Sequence, residues 1–378
     1  MKKLTSFRAA FPVAERYTYL NHAAISPLSR PCVDATQAYL DELVHHGAAH
    51  YPKVVSEPTA RVRAQGAELV GGDPEGVFIV RSTTQGLGVA ATGLPAGPGD
   101  NLVLIRGEFP ANQRPWLPLA RKGVELRWIE QHEGRVSLDD LKAAIDDRTV
   151  AVTVSFVQFL SGFRLDLAAV GALCQAHDAL FIVDAIQGLG AMPIDVKAMG
   201  IDLLSADAHK WLLGAEGVGI GYASPKAIER IVPALEGWMS AQNPFDFFDI
   251  DQPLKATAAR YEEGAPNAAG VFGFDASLRL LLETGLDDIH RRVLALSDRL
   301  AEGLVEAGWT LRSPRATPGE KSGIVLVTKP ELDAERVVSQ LREAKIIASV
   351  RGGAVRLAPH AYLLEDEIDR AVAVLSQG

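Results

Sequence analysis

The sequence predicts an α/β protein: a large unit on a mostly parallel, seven-stranded sheet, then a smaller C-terminal α/β unit. Three observations predict it. Seven short apolar runs occupy the first two thirds of the chain, helix-like runs separate several of them, and the pattern changes after Ala234. The apolar runs cover residues 77–80, 101–105, 125–129, 150–155, 180–183, 203–205 and 218–222. Runs that short and continuous suit strands buried on both faces, and stretches such as 167–177 supply the helical crossovers that parallel pairing requires. Residues 236–263, rich in Asp, Phe, Pro and Gln, read as a long irregular crossing, and 271–283 and 286–307 as long helices. The smaller unit has strands near 323–327, 346–350 and 354–357, covered by helices near 331–344 and 365–376. The expected division is an N-terminal segment, 1–20, packed on the small domain, a large domain, 21–262, and a small domain, 263–378.

The totals narrow the function. At 378 residues the chain can build two domains with cores of their own. A net charge of −9 without a basic stripe argues against a nucleic-acid partner. The two cysteines, Cys32 and Cys174, lie far apart and make neither a disulfide framework nor a Cys-x-x-Cys metal site. No apolar run reaches the roughly 18 residues of a membrane span, and the first residues lack the apolar core of a secretory signal. A cytoplasmic protein without a membrane partner is the expectation.

The chemistry concentrates between Phe181 and Tyr222. The run Phe181-Ile-Val-Asp184 delivers an acid at a strand end, Gln187 follows at a short offset, and the next run delivers Asp207-Ala-His209-Lys210-Trp211. Taken singly, Asp184 reads as a turn acid and Lys210 as a surface lysine. Together, a strand-end carboxylate and a strand-end lysine suit pyridoxal phosphate (PLP). The lysine holds the aldehyde as a Schiff base, and the acid keeps the pyridine nitrogen protonated so that the ring accepts electrons. The glycines from Gly214 to Gly219 precede a strand rather than link a strand to a helix, so they are not a dinucleotide fingerprint. His45, His46 and His50 have no acid or cysteine at ligand spacing, and no metal is expected.

These phrases resemble the class V aminotransferases of fold type I, a family that includes cysteine desulfurases, selenocysteine lyases, kynureninases and isopenicillin N epimerase. The resemblance runs from Tyr19-Leu-Asn-His22 to Glu367-Ile-Asp-Arg370. It implies a PLP enzyme acting on a small α-amino acid, by transamination, elimination or epimerisation, as a homodimer with shared sites; the alternatives are desulfurase or selenocysteine lyase-type activity, or a non-catalytic PLP-binding protein on the same fold. By resemblance Lys210 is the anchor and proton carrier, Asp184 pairs with the ring nitrogen, Gln187 meets the ring 3-oxygen, and His209 meets the phosphate. Thr83 and Thr84, opening a helix after the 77–80 strand, hold the phosphate at its N-terminus. Phe109 takes the place of the histidine that stacks on the ring in desulfurases, and a phenyl ring cannot carry a proton. Gln158 matches a residue beside the cofactor oxygen.

At the substrate end, Arg356 matches the arginine that grips the α-carboxylate, with Arg351 near it, and a guanidinium fork suits that group. Asn21 and His22 match the segment lining the substrate mouth. Arg260, Glu262 and Asn267 match a loop that in relatives reaches the neighbouring subunit. Arg164 reads equally as a functional or a solvated residue. Three departures stand out: Asp207 where relatives carry a phosphate-binding serine, Ala265 in place of a threonine, and a short, cysteine-free stretch from Arg351 to Arg356. The last points away from a persulfide-forming desulfurase, and the phrase Glu108-Phe-Pro-Ala-Asn112, with Trp116 nearby, resembles the epimerase and lyase-like branch.

Overall fold

The structure, a computed structural model, describes residues 2–330 and 332–377. All seven apolar runs become strands of one sheet: β1 (Val77–Val80), β2 (Asn101–Ile105), β3 (Glu125–Ile129), β4 (Thr149–Ser155), β5 (Leu180–Asp184), β6 (Leu203–Asp207) and β7 (Gly219–Ala223). Their spatial order is β1-β7-β6-β5-β4-β2-β3. Only β7 runs antiparallel to its neighbours, β1 and β6; the remaining pairs are parallel. Because β7 opposes both flanking strands, the other six point the same way. Their carboxyl ends therefore meet at one edge, where ligands of such sheets collect.

The period of two along each strand feeds two cores. Phe78, Val80, Leu102, Leu104, Leu180 and Ile182 pack on one face. Val77, Ile79, Val103, Ile105, Phe181 and Val183 pack on the other. Burial on both faces explains why these strands read as continuous apolar runs rather than alternating ones. The outermost strand, β3, is only partly covered, and its first residue, Glu125, is exposed.

The C-terminal unit is an antiparallel sheet of β8 (Thr310–Leu311), β9 (Val325–Thr328), β10 (Ser349–Arg351) and β11 (Ala354–Leu357), in the order β8-β9-β11-β10. Helices Leu286–Glu306, Ala334–Glu343 and Glu365–Ser376 pack with it. Residue 331, where the second of these was expected to begin, lies outside the described residues. The expected single strand at 346–350 is divided. Ile346–Ile347 pairs in parallel with Thr18–Tyr19, whereas Ser349–Arg351 pairs with β11. A short, mostly apolar run, Ile346-Ile-Ala-Ser-Val350, carries no mark of where its partner changes. The early segment is held there by more than this pair: Arg8 donates to Glu367 at 2.8 Å, and the Phe11 ring stacks on Tyr362 at 4.4 Å. Among the described residues no helix is long and apolar enough to cross a membrane.

Candidate active site

Three adjacent strand ends form the floor. Register places Ser155 of β4 and Ser205 of β6 on either side of Asp184 at the end of β5. Asp184 is 2% exposed, and its Oδ1 accepts the Ile186 N–H at 3.1 Å. Burial pushes its carboxyl up to about 6, against the opposing pull of that N–H and of Lys210. Lys210 follows the end of β6 and is 8% exposed. Burial brings its ammonium down to about 8, with Asp184 opposing and Arg356 assisting. The turn that carries it is clipped by the N-terminal segment. The Ser26 N–H donates to the His209 carbonyl at 2.7 Å, and the Ser26 hydroxyl donates to the Lys210 carbonyl.

The anion-binding end is the start of helix Thr83–Gly93. Ser82 caps it, accepting the Gln85 N–H at 3.1 Å. Thr83 Oγ1 accepts the Asp207 N–H at 3.0 Å, which ties the helix start to the end of β6. Gly86 lets the helix lie this low, because a Cβ there would stand 2.2 Å from Ser205 Oγ. Asp207 faces His209: its Oδ1 is 3.1 Å from His209 Nδ1. The pair is close but not aligned for a hydrogen bond, and both atoms remain buried and unpartnered. The acid at this departure thus turns toward the imidazole.

The opposite wall holds Phe109, Phe159 and Arg356. Phe109, 46% exposed, meets Phe159 edge to face at 5.4 Å, and Lys210 Nζ lies 5.5 Å from its ring centroid. Arg356 is 2% exposed; its Nη1 donates to the Phe159 carbonyl at 2.7 Å, while Nε and Nη2 have no partner. Behind Phe109 sits a residue that sequence reasoning passed over, Glu108. Its buried carboxylate accepts the Ser155 N–H at 2.6 Å, Gln158 Nε2 at 2.8 Å and Asn112 Nδ2 at 2.6 Å. Burial drives it up to about 7 in spite of these donors. Only its place in the Gly107-Glu108-Phe109 phrase could have pointed to it.

The fold brings most expected site residues together. Thr83, Thr84, Phe109, Gln187, His209, Lys210 and Arg356 line one cavity of about 290 Å³, with Arg351, Ser82, Ile186 and Asp207 beside them. Gln187 spends one amide proton on the Ala23 carbonyl at 2.9 Å and its oxygen on Trp211 Nε1 at 3.2 Å, so one N–H remains for a ligand. Four expected residues are not on the cavity wall: Asp184, Gln158, His22 and Asn21. Gln158 does not line the cavity, because its amide is drawn onto Glu108 and Gln131. His22 is buried beneath it: Nδ1 donates to the Ala358 carbonyl and Nε2 accepts the Tyr362 hydroxyl, both at 2.9 Å. Burial lowers His22 to about 4, so it is a neutral framework residue. Asn21 bridges to Ala358 through its backbone and also stays off the cavity wall.

The loop assigned to a neighbouring subunit is tied down within its own chain. Glu262 accepts Arg63 Nη2 at 2.6 Å, Arg260 donates to the carbonyls of Lys255 and Ile228, and Asn267 caps helix Ala268–Thr284. Arg164 donates to the carbonyls of Pro318 and Gly319. It borders a larger, open concavity of about 980 Å³. There Arg135 and Glu320 pair at 3.0 Å, and none of the buried unpartnered polar atoms of the described residues lines it. The smaller cavity is therefore the chemical one.

The profile of the class-V aminotransferases matches residues 18–366. The chain belongs to that family. It is 29% identical over 366 residues to an uncharacterized aminotransferase, YcbU, of Bacillus subtilis, covering 97% of this chain and 95% of that one. It is 32% identical over 303 residues to a cysteine desulfurase of Klebsiella pneumoniae, 75% of this chain and 72% of the other. The apo structure of a cysteine desulfurase from Thermococcus onnurineus superposes with a TM-score of 0.90 at 26% identity, over 98% of this chain and 97% of that one. As a class-V aminotransferase the protein is a PLP-dependent enzyme of fold type I. Its residues fit that cofactor. A lysine with a lowered pKa follows one strand end, a buried carboxylate stands at the next, and a capped helix start lies beside them.

Proposed function

We propose that this enzyme removes and returns the Cα proton of a small α-amino acid, with transamination, elimination or epimerisation as the outcome. When bound, PLP supplies the electron sink that makes that proton acidic. Lys210 supplies the anchoring amine and the base. With its pKa near 8, roughly a tenth of it is neutral at pH 7 before any ligand binds. Asp184 serves the ring nitrogen; a cation at that nitrogen returns the carboxyl to its ionised form. Phe109 offers an apolar face that excludes water without exchanging protons. Thr83, Thr84 and the helix start take the phosphate, with His209 beside them. Arg356, through its two unpartnered nitrogens, grips the α-carboxylate and orients the Cα–H bond.

Buried Arg356, with Nε and Nη2 unpartnered and lining the same cavity as Lys210, is the observation that carries this reading. Borohydride treatment of the yellow protein should fix the cofactor on Lys210, and Lys210→Ala should abolish turnover. A protein that stays colourless when supplied with PLP would sink the reading. Incubating an amino-acid panel with and without 2-oxo acids, followed by mass spectrometry, separates the outcomes. Oxo-acid dependence marks a transaminase, release of pyruvate or alanine a lyase, and deuterium uptake without net product an epimerase.

The desulfurase relatives favour a second reading, carbon–sulfur cleavage of cysteine. Both cysteines are buried in helices and neither lines the cavity, so a persulfide on a cysteine of this chain is disfavoured. We also propose a cytoplasmic homodimer. Its support is the exposed apolar cluster of Trp238, Phe245, Phe247, Phe248 and Ile250, larger than a solvated loop ordinarily shows. Light scattering on the purified protein tests the dimer.

A further inference from the structure

The hairpin β10–β11 carries two arginines, and the family reading uses one. Gly352 and Gly353, at φ +56° and +73°, form its two-residue turn, a conformation that other residues adopt only under strain. The turn sets the register: Arg351 opposes Ala354, and Ser349 opposes Arg356. Directly opposed residues, and residues two apart on a strand, share a face. Ser349, Arg351, Ala354 and Arg356 therefore point the same way, and the two guanidiniums are diagonal neighbours. Ala354 is small and leaves the space between them open. The tip is fixed against the cavity wall, with Gly352 beside Leu160 and Arg356 Nη1 on the Phe159 carbonyl. Both arginines line the cavity.

No carboxylate of the described residues pairs with either arginine. Arg351 makes no salt bridge among the described residues, and its Nη1 donates to the carbonyl of Val350 at 2.8 Å. Arg356 Nε and Nη2 and Ser349 Oγ are buried without partners. Two like charges on one face of a hairpin repel each other, and Arg351 acts on Arg356 and on Lys210 in the same unfavourable sense. Such a pair is compensated when the occupant brings an anion to each. The cofactor phosphate is not that second anion, because its seat lies at the start of helix Thr83–Gly93, with Thr83, Thr84 and His209. A single α-carboxylate satisfies Arg356 and leaves Arg351 exposed and unpaired.

We propose that the site selects α-amino acids with a second carboxylate on a short side chain, Arg356 taking the α-carboxylate and Arg351 the distal one. Because the two arginines are diagonal neighbours on one hairpin face, the spacer that fits between their anions is short, one or two methylenes between Cα and the second carboxylate. This inference rests on the Lys210-anchored reading above and specifies its substrate.

The test uses PLP-loaded protein and two probes without an amino group, succinate and butyrate, titrated by calorimetry. They have the same number of carbons and differ in the second carboxylate. Succinate should bind at least about tenfold tighter to the wild type. In Arg351→Gln that preference should shrink to within about threefold, while the variant's affinity for PLP, followed by absorbance, stays at the wild-type level. Equal binding of the two probes by the wild type overturns the proposal. So does an Arg351→Gln variant that weakens butyrate as much as succinate, or one that instead loses PLP affinity. Borohydride fixation on Lys210 is checked first. If it fails, the functional reading falls and this inference with it; if it succeeds and succinate shows no advantage, only the substrate class is wrong.

Discussion

Gly86→Ala tests whether the helix start and the strand ends are one assembly. An added Cβ would stand 2.2 Å from Ser205 Oγ, 2.7 Å from Ser205 Cβ and 3.2 Å from Val80 Cγ1. The hydroxyl could rotate away; the Ser205 Cβ could not. Ordinary contact near 3.4 Å requires the helix to retreat by about 1 Å at this point. Overpacking of that kind costs about 1–3 kcal/mol, and the better helix propensity of alanine returns about 1 kcal/mol. The net loss in urea unfolding should therefore be at most about 2 kcal/mol. The same retreat pulls Thr83 from the Asp207 N–H and moves the helix amides off the phosphate position. Losing one or two such hydrogen bonds weakens PLP binding roughly tenfold. Adding Ser205→Gly removes both clashing atoms and should restore stability and affinity together. A Gly86→Ala protein with wild-type urea midpoint and wild-type PLP affinity would refute the reasoning, as would failure of Ser205→Gly to rescue it.

Three further outcomes follow from the site. Glu108 has a folded pKa near 7, above its unfolded value, so the apo fold binds the extra proton and loses stability as pH rises from about 5 to about 7. Glu108→Gln should abolish that part of the slope, worth up to about 3 kcal/mol, in urea midpoints measured across this range; an unchanged slope would show that the carboxyl is ionised throughout. Arg356→Ala should lower kcat/KM by roughly 10²–10³-fold, the loss from truncating one partner of a buried charge pair, and Arg356→Lys should recover little because the Phe159 carbonyl and the ligand need a fork. Replacing Cys32 and Cys174 together by alanine should leave turnover of the preferred amino acid within about twofold, since neither thiol meets the cavity and burial raises the pKa of each, Cys174 to about 12; a drop of an order of magnitude would bring a cysteine back into the chemistry.

Much of the site was legible because local signals and chemistry coincide. Asp184 and Lys210 end adjacent strands, and a strand buried on both faces announces itself as an apolar run whose end must be where polarity returns. Thr83 was found for a similar reason, since a helix after a strand needs a capped start and a capped start binds anions. Where the side chains of Asn21, His22 and Gln158 go was not legible. Each lies in a phrase near the cavity, but its side-chain direction depends on a partner far along the chain: Ala358 and Tyr362 for the first two, Glu108 for the third.

The sequence by itself determined the seven strands, the helices between them, the chemistry of an amine beside an acid, and membership of a PLP-dependent family. The strands and helices follow from periodicity and short-range order, which act over a few residues; the family follows from the resemblance of the motifs between Phe181 and Tyr222. Tertiary structure alone decided that the apolar run at 346–350 divides between two partners. It also turned Asp207 toward His209, buried Glu108 beneath the floor, and aimed Arg351 and Arg356 from one face of a hairpin into one cavity. Those facts depend on strand register and on contacts between residues hundreds of positions apart, and no local pattern encodes which of two apolar or charged neighbours a distant partner will claim.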